Sequence, residues 1–148
     1  MSAIPDNAGL HRRTDALAQE VGRLRSLAVA LERWHQDMIS MMAQNRSMDA
    51  EGEDMHAIAR QLIMVSLNAA IEGARAGNEA RGFVAVAAEV KTLAHRVQTL
   101  AGELGKNLQT SSLITTATFQ DIQAAGKMMM AAISGLEVQV RDLRLEIG

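Results

Sequence analysis

Two pairs of residues carry the spacing of a metal-binding helix: Glu32-x-x-His35 and Glu53-x-x-His56. In four-helix di-metal proteins a Glu and a His three residues apart project from one helix face toward a shared ion. Here both pairs lie on one helical segment, 21 residues apart, which is roughly 30 Å along a helix axis. They cannot share a metal. With Leu31 and Gly52 taken as heptad a positions, both pairs fall on b and e, the outer flank, and read as solvated surface. The facing segment offers Glu103 near the second pair and no inward carboxylate near the first. Other chemistries lack their settings. Gly77 to Gly82 follows no strand, so a phosphate-binding loop is not expected there. A Ser–His–acid triad needs a pocket that two helices do not form, and His11, His35, His56 and His95 read as surface residues. With no cysteine, thiol nucleophiles, disulfides and zinc–thiolate sites are excluded. The chain is not expected to be an enzyme, and no catalytic, cofactor-binding or metal residue is assigned.

The elements that would position any such group are helices. Aromatic residues make up 2% of the 148, too few for a large globular core or a β-sandwich. The apolar content is mainly Ala, Leu, Val and Met, which suit helices. The one proline is Pro5, so none interrupts the remaining chain. A net charge of −2 with a pI near 6.1 provides no footprint for nucleic acid. No apolar run approaches the ~20 residues of a membrane span. The longest, from Leu62 to Ile71, contains Ser66 and Asn68. A soluble cytoplasmic protein without direct membrane insertion is the expectation.

Leu10, Leu17, Leu24, Leu31 and Met38 recur every seven residues, continuing through Asn45, Gly52, Ala59 and Ser66. A second series lies three places later: Leu27, Trp34, Met41, Met48, Met55, Leu62 and Ala69. Taken as a and d positions, these predict one coiled-coil face. Beyond a turn, Val86, Val90, Leu93, Val97, Leu100 and Leu104 step by four and three, and Leu108, Thr115, Ile122, Met129, Leu136 and Leu143 by seven. The fold class is therefore all-α, a long antiparallel helical hairpin expected to dimerise into a four-helix bundle, since one hairpin cannot bury its seam and flanks alone. The expected divisions are a flexible lead-in over 1–9, a helix over 10–76, a tip turn over 77–82 and a helix over 83–147. Folding about 78–79 places Asn45 opposite Leu113 and Gly52 near Gly105 and Lys106, in a rod on the order of 100 Å. Asn45, Ser66, Ser111 and Thr118 are expected as small or polar core layers. Of the run Met128-Met129-Met130, not all can face inward, because neighbours are about 100° apart.

At the tip, Gly77 and Asn78 can end a helix in the left-handed conformation, and Gly82 permits reversal. The preceding stretch is apolar around most of its circumference. Beyond what a dimer seam would use, Met64, Val65, Leu67 and Ile71 remain, interspersed with Asn68, Glu72 and Arg75, and predict an interaction patch. Glu72 and Arg75 have the spacing of an ion pair.

It is at these residues that a specific similarity emerges. Ile58-Ala59-x-Gln61, Leu67-Asn68-Ala69-Ala70-Ile71-Glu72-x-Ala74-Arg75-Ala76-Gly77, Arg81-Gly82-Phe83, Val86-Ala87, Glu89-Val90 and Leu93-Ala94 resemble the signalling hairpin tip of bacterial methyl-accepting chemotaxis receptors over about forty residues. The resemblance implies a homodimer whose tips cluster as trimers of dimers and bind a CheA-type histidine kinase and a CheW-type coupling protein, alongside full-length chemoreceptors in arrays. It implies clustering contacts at positions matching Asn68, Glu72 and Arg75, and coupling-protein or kinase contacts at Asn78, Arg81, Phe83 and Ala85. There are departures. Gln61-Leu62-Ile63 replaces a Gln-Thr-Asn run, Asn78 replaces the usual Glu, and Ala80 a glycine. Phe83-Val84-Ala85-Val86 exchanges small and large residues relative to Phe-Ala-Val-Val. Of the family's glycine hinge only Gly126 matches. Gln19-Glu20, the one adjacent Gln/Glu pair on the first arm, lies closer to the tip than the family's methylation sites, so methylation is not expected. The reading is a short chemoreceptor-like signalling hairpin; the alternative is a structural coiled-coil interaction module without control of a kinase.

Overall fold

The computed structural model describes residues 6–148. The expected lead-in lies partly outside them, at residues 1–5. Helix α1 spans Asn7–Ala76 and helix α2 spans Arg81–Ile147. The first turn of α1 is closed by the Leu10 amide donating to the Asp6 carbonyl at 3.0 Å, so this helix begins three residues before Leu10. At its other end Arg75 sits in the last turn, where a cation complements the helix dipole.

The reversal between the helices takes four residues. Gly77 has φ 82° and ψ −154°, a region that only glycine occupies without strain. Asn78–Ala80 then form a single 3₁₀ turn, with the Ala80 amide donating to the Gly77 carbonyl at 3.2 Å and the Arg81 amide to that of Asn78. No other described residue has a positive φ. Gly82, expected in the turn, is instead the second residue of α2 and helical.

The hairpin divides into two compact units, one made of residues up to 40 and from 116 onward, the other of Met41–Thr115. In the first, Thr14, Val21, Ile133 and Val140 are buried between the helices, with Leu10, Leu17, Leu24 and Leu31 half-buried beside them. The Thr14 hydroxyl donates to the Leu10 carbonyl at 2.9 Å. Arg25 and Glu137 form an ion pair across the helices.

In the second unit the buried residues are small. Gly52, Ala59, Ser66 and Gly73 of α1 face Ala87, Ala94 and Ala101 of α2, with Leu108 and Thr115 further back. Small side chains at heptad spacing let two helices approach closely. Asn45 donates to the Ser111 hydroxyl at 3.2 Å. The Thr115 hydroxyl donates to the Ser111 carbonyl at 2.7 Å and lies 3.5 Å from Met41 Sδ. The facing partner of Asn45 is thus Ser111 rather than Leu113, which is exposed. Gly52 borders one cleft with Gly105 and Lys106, as expected, and faces the neighbouring Leu104. The register is centred nearer Asn78 because the turn ends at Ala80 and α2 starts at Arg81, ahead of Gly82.

One expectation about the seam is corrected. The a column (Leu10 to Gly73) does face the other helix, but the column packed beside it lies four residues later: Thr14, Val21, Ala28, His35 and Met42 near the base, His56, Ile63 and Ala70 toward the tip. The apolar d column instead stays open. Leu27 and Trp34 of the first unit, and Met41, Met48, Met55 and Leu62 of the second, are each 40–54% exposed. On α2 the matching open column is Val86, Leu93, Leu100 and Ile114. No large side chain is fully buried among the described residues. Each unit thus buries only part of its large apolar surface between the two helices, and the d column stays outside.

Candidate functional site

The two Glu-x-x-His pairs lie in different compact units of the hairpin. Their histidines occupy the e column, which belongs to the seam. His35 and His56 are therefore half-buried, whereas His11 and His95 are exposed as expected. The His35 ring rests on Phe119 with centroids 4.6 Å apart, and Glu32 accepts a hydrogen bond from Gln36 at 3.2 Å. His56 lies in a shallow cleft with Asp49 and Glu53. Among the described residues no three His, Asp or Glu side chains are placed to hold a metal ion. An open cleft of about 730 Å³ in the first unit is bordered by Arg25, Val29, His35, Gly126 and Met130. Met128 and Met130 are exposed and Met129 half-buried.

The tip is where exposed apolar surface and oriented polar groups coincide. At 100° per residue, Met64, Asn68, Ile71 and Arg75 share an arc of about 60°, with Val65, Leu67 and Glu72 on its borders. Ala59, Ser66 and Gly73, the seam residues, lie on the opposite side of the helix. Met64, Val65 and Ile71 are 57–62% exposed, and neighbouring exposed apolar residues, unlike scattered single ones, mark an interaction surface. Leu67 and Asn68 are also exposed. Arg75 Nη1 donates to Glu72 Oε1 at 3.3 Å. The d column represented here by Leu62 occupies a third heading between seam and patch. One partner could cover the column and leave the patch free.

On the α2 side, Asn78, Arg81, Phe83 and Ala85 are all exposed. Phe83, at 58% exposure, is the one phenylalanine in the second unit. Of the two glycines expected to make the turn, Gly77 carries it and Gly82 does not. A third glycine escapes notice by spacing alone. Gly73 is buried one turn before the end of α1, and a β-carbon there would overlap the γ2 methyl of Val84 and lie 3.5 Å from Phe83 Cδ1. The legible signal is a glycine inside a helix mirrored across the turn by a β-branched residue.

The hairpin thus carries an open heptad column and a polar-studded apolar tip. The family model for the methyl-accepting chemotaxis protein (MCP) signalling domain matches residues 36–142, and the chain belongs to this family. Among curated proteins, the methyl-accepting chemotaxis protein McpK of Pseudomonas aeruginosa is 30% identical over 140 residues, covering 85% of this chain and 21% of its own. The methyl-accepting chemotaxis citrate transducer of Salmonella typhimurium is 41% identical over 91 residues, covering 61% and 16%. The aerotaxis receptor of Escherichia coli is 40% identical over 72 residues, covering 49% and 14%. The chain spans about a fifth or less of the length of these relatives. Among the described residues, no helix is long and apolar enough to cross a membrane.

Proposed function

We propose that this chain is a signalling hairpin of chemotaxis signal transduction. It pairs with a second copy through its open columns, clusters through its tip and binds a CheA-type histidine kinase together with a CheW-type coupling protein. The pairing reading rests on the d column. Leu27 to Leu62 on α1 and Val86 to Ile114 on α2 present large apolar side chains at heptad spacing, and only another pair of helices buries such columns along their length. Each Leu, Met or Val removed from water contributes about 1.5–3 kcal/mol before ordering costs. The four-helix bundle so formed is stabilised by residues that the hairpin cannot bury alone.

The observation that carries the functional reading is the second face. Met64, Asn68, Ile71 and Arg75 remain outside both the seam and the column, inside the stretch matched to the signalling domain. Surface of this kind, apolar with a few oriented polar groups, is what an interface hot spot needs. In this reading Met64, Val65, Leu67, Asn68, Ile71, Glu72 and Arg75 make tip-to-tip contacts, and Asn78, Arg81, Phe83 and Ala85 contact the kinase–coupling complex. Control is mechanical: bundle packing biases the tip geometry, and the tip geometry biases the kinase.

Capture of purified kinase and coupling protein by the immobilised chain tests this. Wild type retains both proteins, and Ile71→Asp and Arg75→Ala weaken retention while leaving helicity unchanged. Retention indifferent to both substitutions would favour a structural coiled-coil module that uses this fold without engaging a kinase.

A further inference from the structure

Gly77 and Gly82 make no close packing contact between the helices at the tip. A β-carbon added at Gly77 or Gly82 would meet no atom within 4 Å, whereas one at Gly73 would meet two side chains. A glycine inside a helix is unfavourable relative to alanine, so its presence at a buried position calls for a steric reason. The reason is Val84. Its γ2 methyl fills the volume that a Gly73 side chain would take, and its β-carbon lies 3.7 Å from that position. Valine is stiff about its first torsion and cannot swing clear. Phe83 meets the same slot with its Cδ1 edge at 3.5 Å, and leaves the rest of the residue 58% exposed. Gly73 therefore decides how deeply the first turn of α2 seats on α1, and with it where the Phe83 ring stands.

We propose that Gly73 and Val84 form a size-matched slot and knob that positions Phe83 as the aromatic anchor for the coupling-type partner. Gly73 is a positioning residue that acts through Phe83 and does not touch the partner. The assignment rests on the reading of Phe83 as a partner contact. The exchange of small and large residues at Val84 and Ala85 has its counterpart on α1, because a valine at 84 requires the empty slot at 73. The tip's aromatic anchor is thus set by a pair of residues on different helices, and changing one member alone displaces it.

Two measurements on the full chain test this. With only two phenylalanines, Phe83 and Phe119, ring-labelled protein reports each ring by NMR. Gly73→Ala shifts the Phe83 resonances and leaves those of Phe119 in place, and adding Val84→Ala returns Phe83 toward its original position. Binding to the CheW-type coupling protein falls about tenfold in Gly73→Ala and recovers to within about threefold in the double variant. In a Phe83→Ala background Gly73→Ala causes no further loss, which a merely structural role would not predict. Val84→Ile enlarges the knob without altering α1 and must reproduce the displacement, should Gly73→Ala fail to fold. A Phe83 ring unmoved by Gly73→Ala and Val84→Ile, or losses that add fully in the Phe83→Ala background, overturns the lock. A wild-type chain that does not bind the coupling protein overturns the partner reading and the role given to the lock within it. Binding that is indifferent to Gly73→Ala overturns the lock alone.

Discussion

Three glycines near the tip, identical as residues, stand in three different physical situations. Gly77 adopts a backbone conformation closed to other residues, with φ 82° and ψ −154°. Gly73 provides room for Val84. Gly82 does neither, since it is helical and has open space around it. The consequence is measurable by denaturant unfolding. Gly77→Ala is expected to destabilise the hairpin by about 1–3 kcal/mol, the cost of holding an L-residue in that region. Gly82→Ala is expected to stabilise it by up to about 1 kcal/mol, because alanine is the better helix former and meets no obstacle. Equal effects at the two positions would contradict the turn geometry. In the sequence both glycines flank the same suspected turn. A helical glycine and a turning one have the same side chain, so only the backbone distinguishes them.

Among the elements, the seam between α1 and α2 explains what a heptad pattern can and cannot reveal. The a column is legible because Leu10, Leu17, Leu24 and Leu31 repeat every seven residues. The d column is equally legible, yet it is not the other half of the intramolecular seam. Hydrophobic periodicity records every face that is buried in any assembly, and it does not say against which helix. The true companion column, with Thr14, His35 and His56 among its members, is mixed in polarity and carries no such signal. For the same reason residue type alone assigns His35 and His56 to the surface. Asn45 is recognisable as a polar layer, but its partner is Ser111, two residues from the position expected, because the turn is shorter than its flanking glycines suggest. Met55→Asp or Leu93→Asp, on the open columns of α1 and α2, is expected to lower the sedimenting mass from two chains to one. Arg96→Ala, an exposed residue outside both columns, should leave it at two. A wild-type chain sedimenting as a monomer would contradict the four-helix bundle. Gly52→Ala makes a gentler test of the same seam. A methyl there meets Leu104 Cδ2 at 3.7 Å, an ordinary contact, so thermal unfolding should rise by an amount corresponding to about 1 kcal/mol.

For the molecule as a whole, three faces of one helix are separated by heading: a seam of small residues, an open apolar column and a tip patch. The seam joins the two helices, while the column and the tip patch stay exposed; in the proposed function the column takes a second copy and the patch takes other partners. Membership of the MCP signalling-domain family is legible at the tip, where the residue pattern is dense and ungapped. The Gly73–Val84 fit is not, because it depends on a contact between two helices rather than on the types of residue along one. Whether the tip transmits to a kinase can be read from the ATP-dependent autophosphorylation rate of a CheA-type kinase with its coupling protein, measured while the chain is titrated in. Wild-type chain is expected to change this rate severalfold, and Ile71→Asp, at equal helicity, is expected to leave it unchanged. A rate unaffected by the wild type, or changed equally by Ile71→Asp, would rule out transmission through the tip.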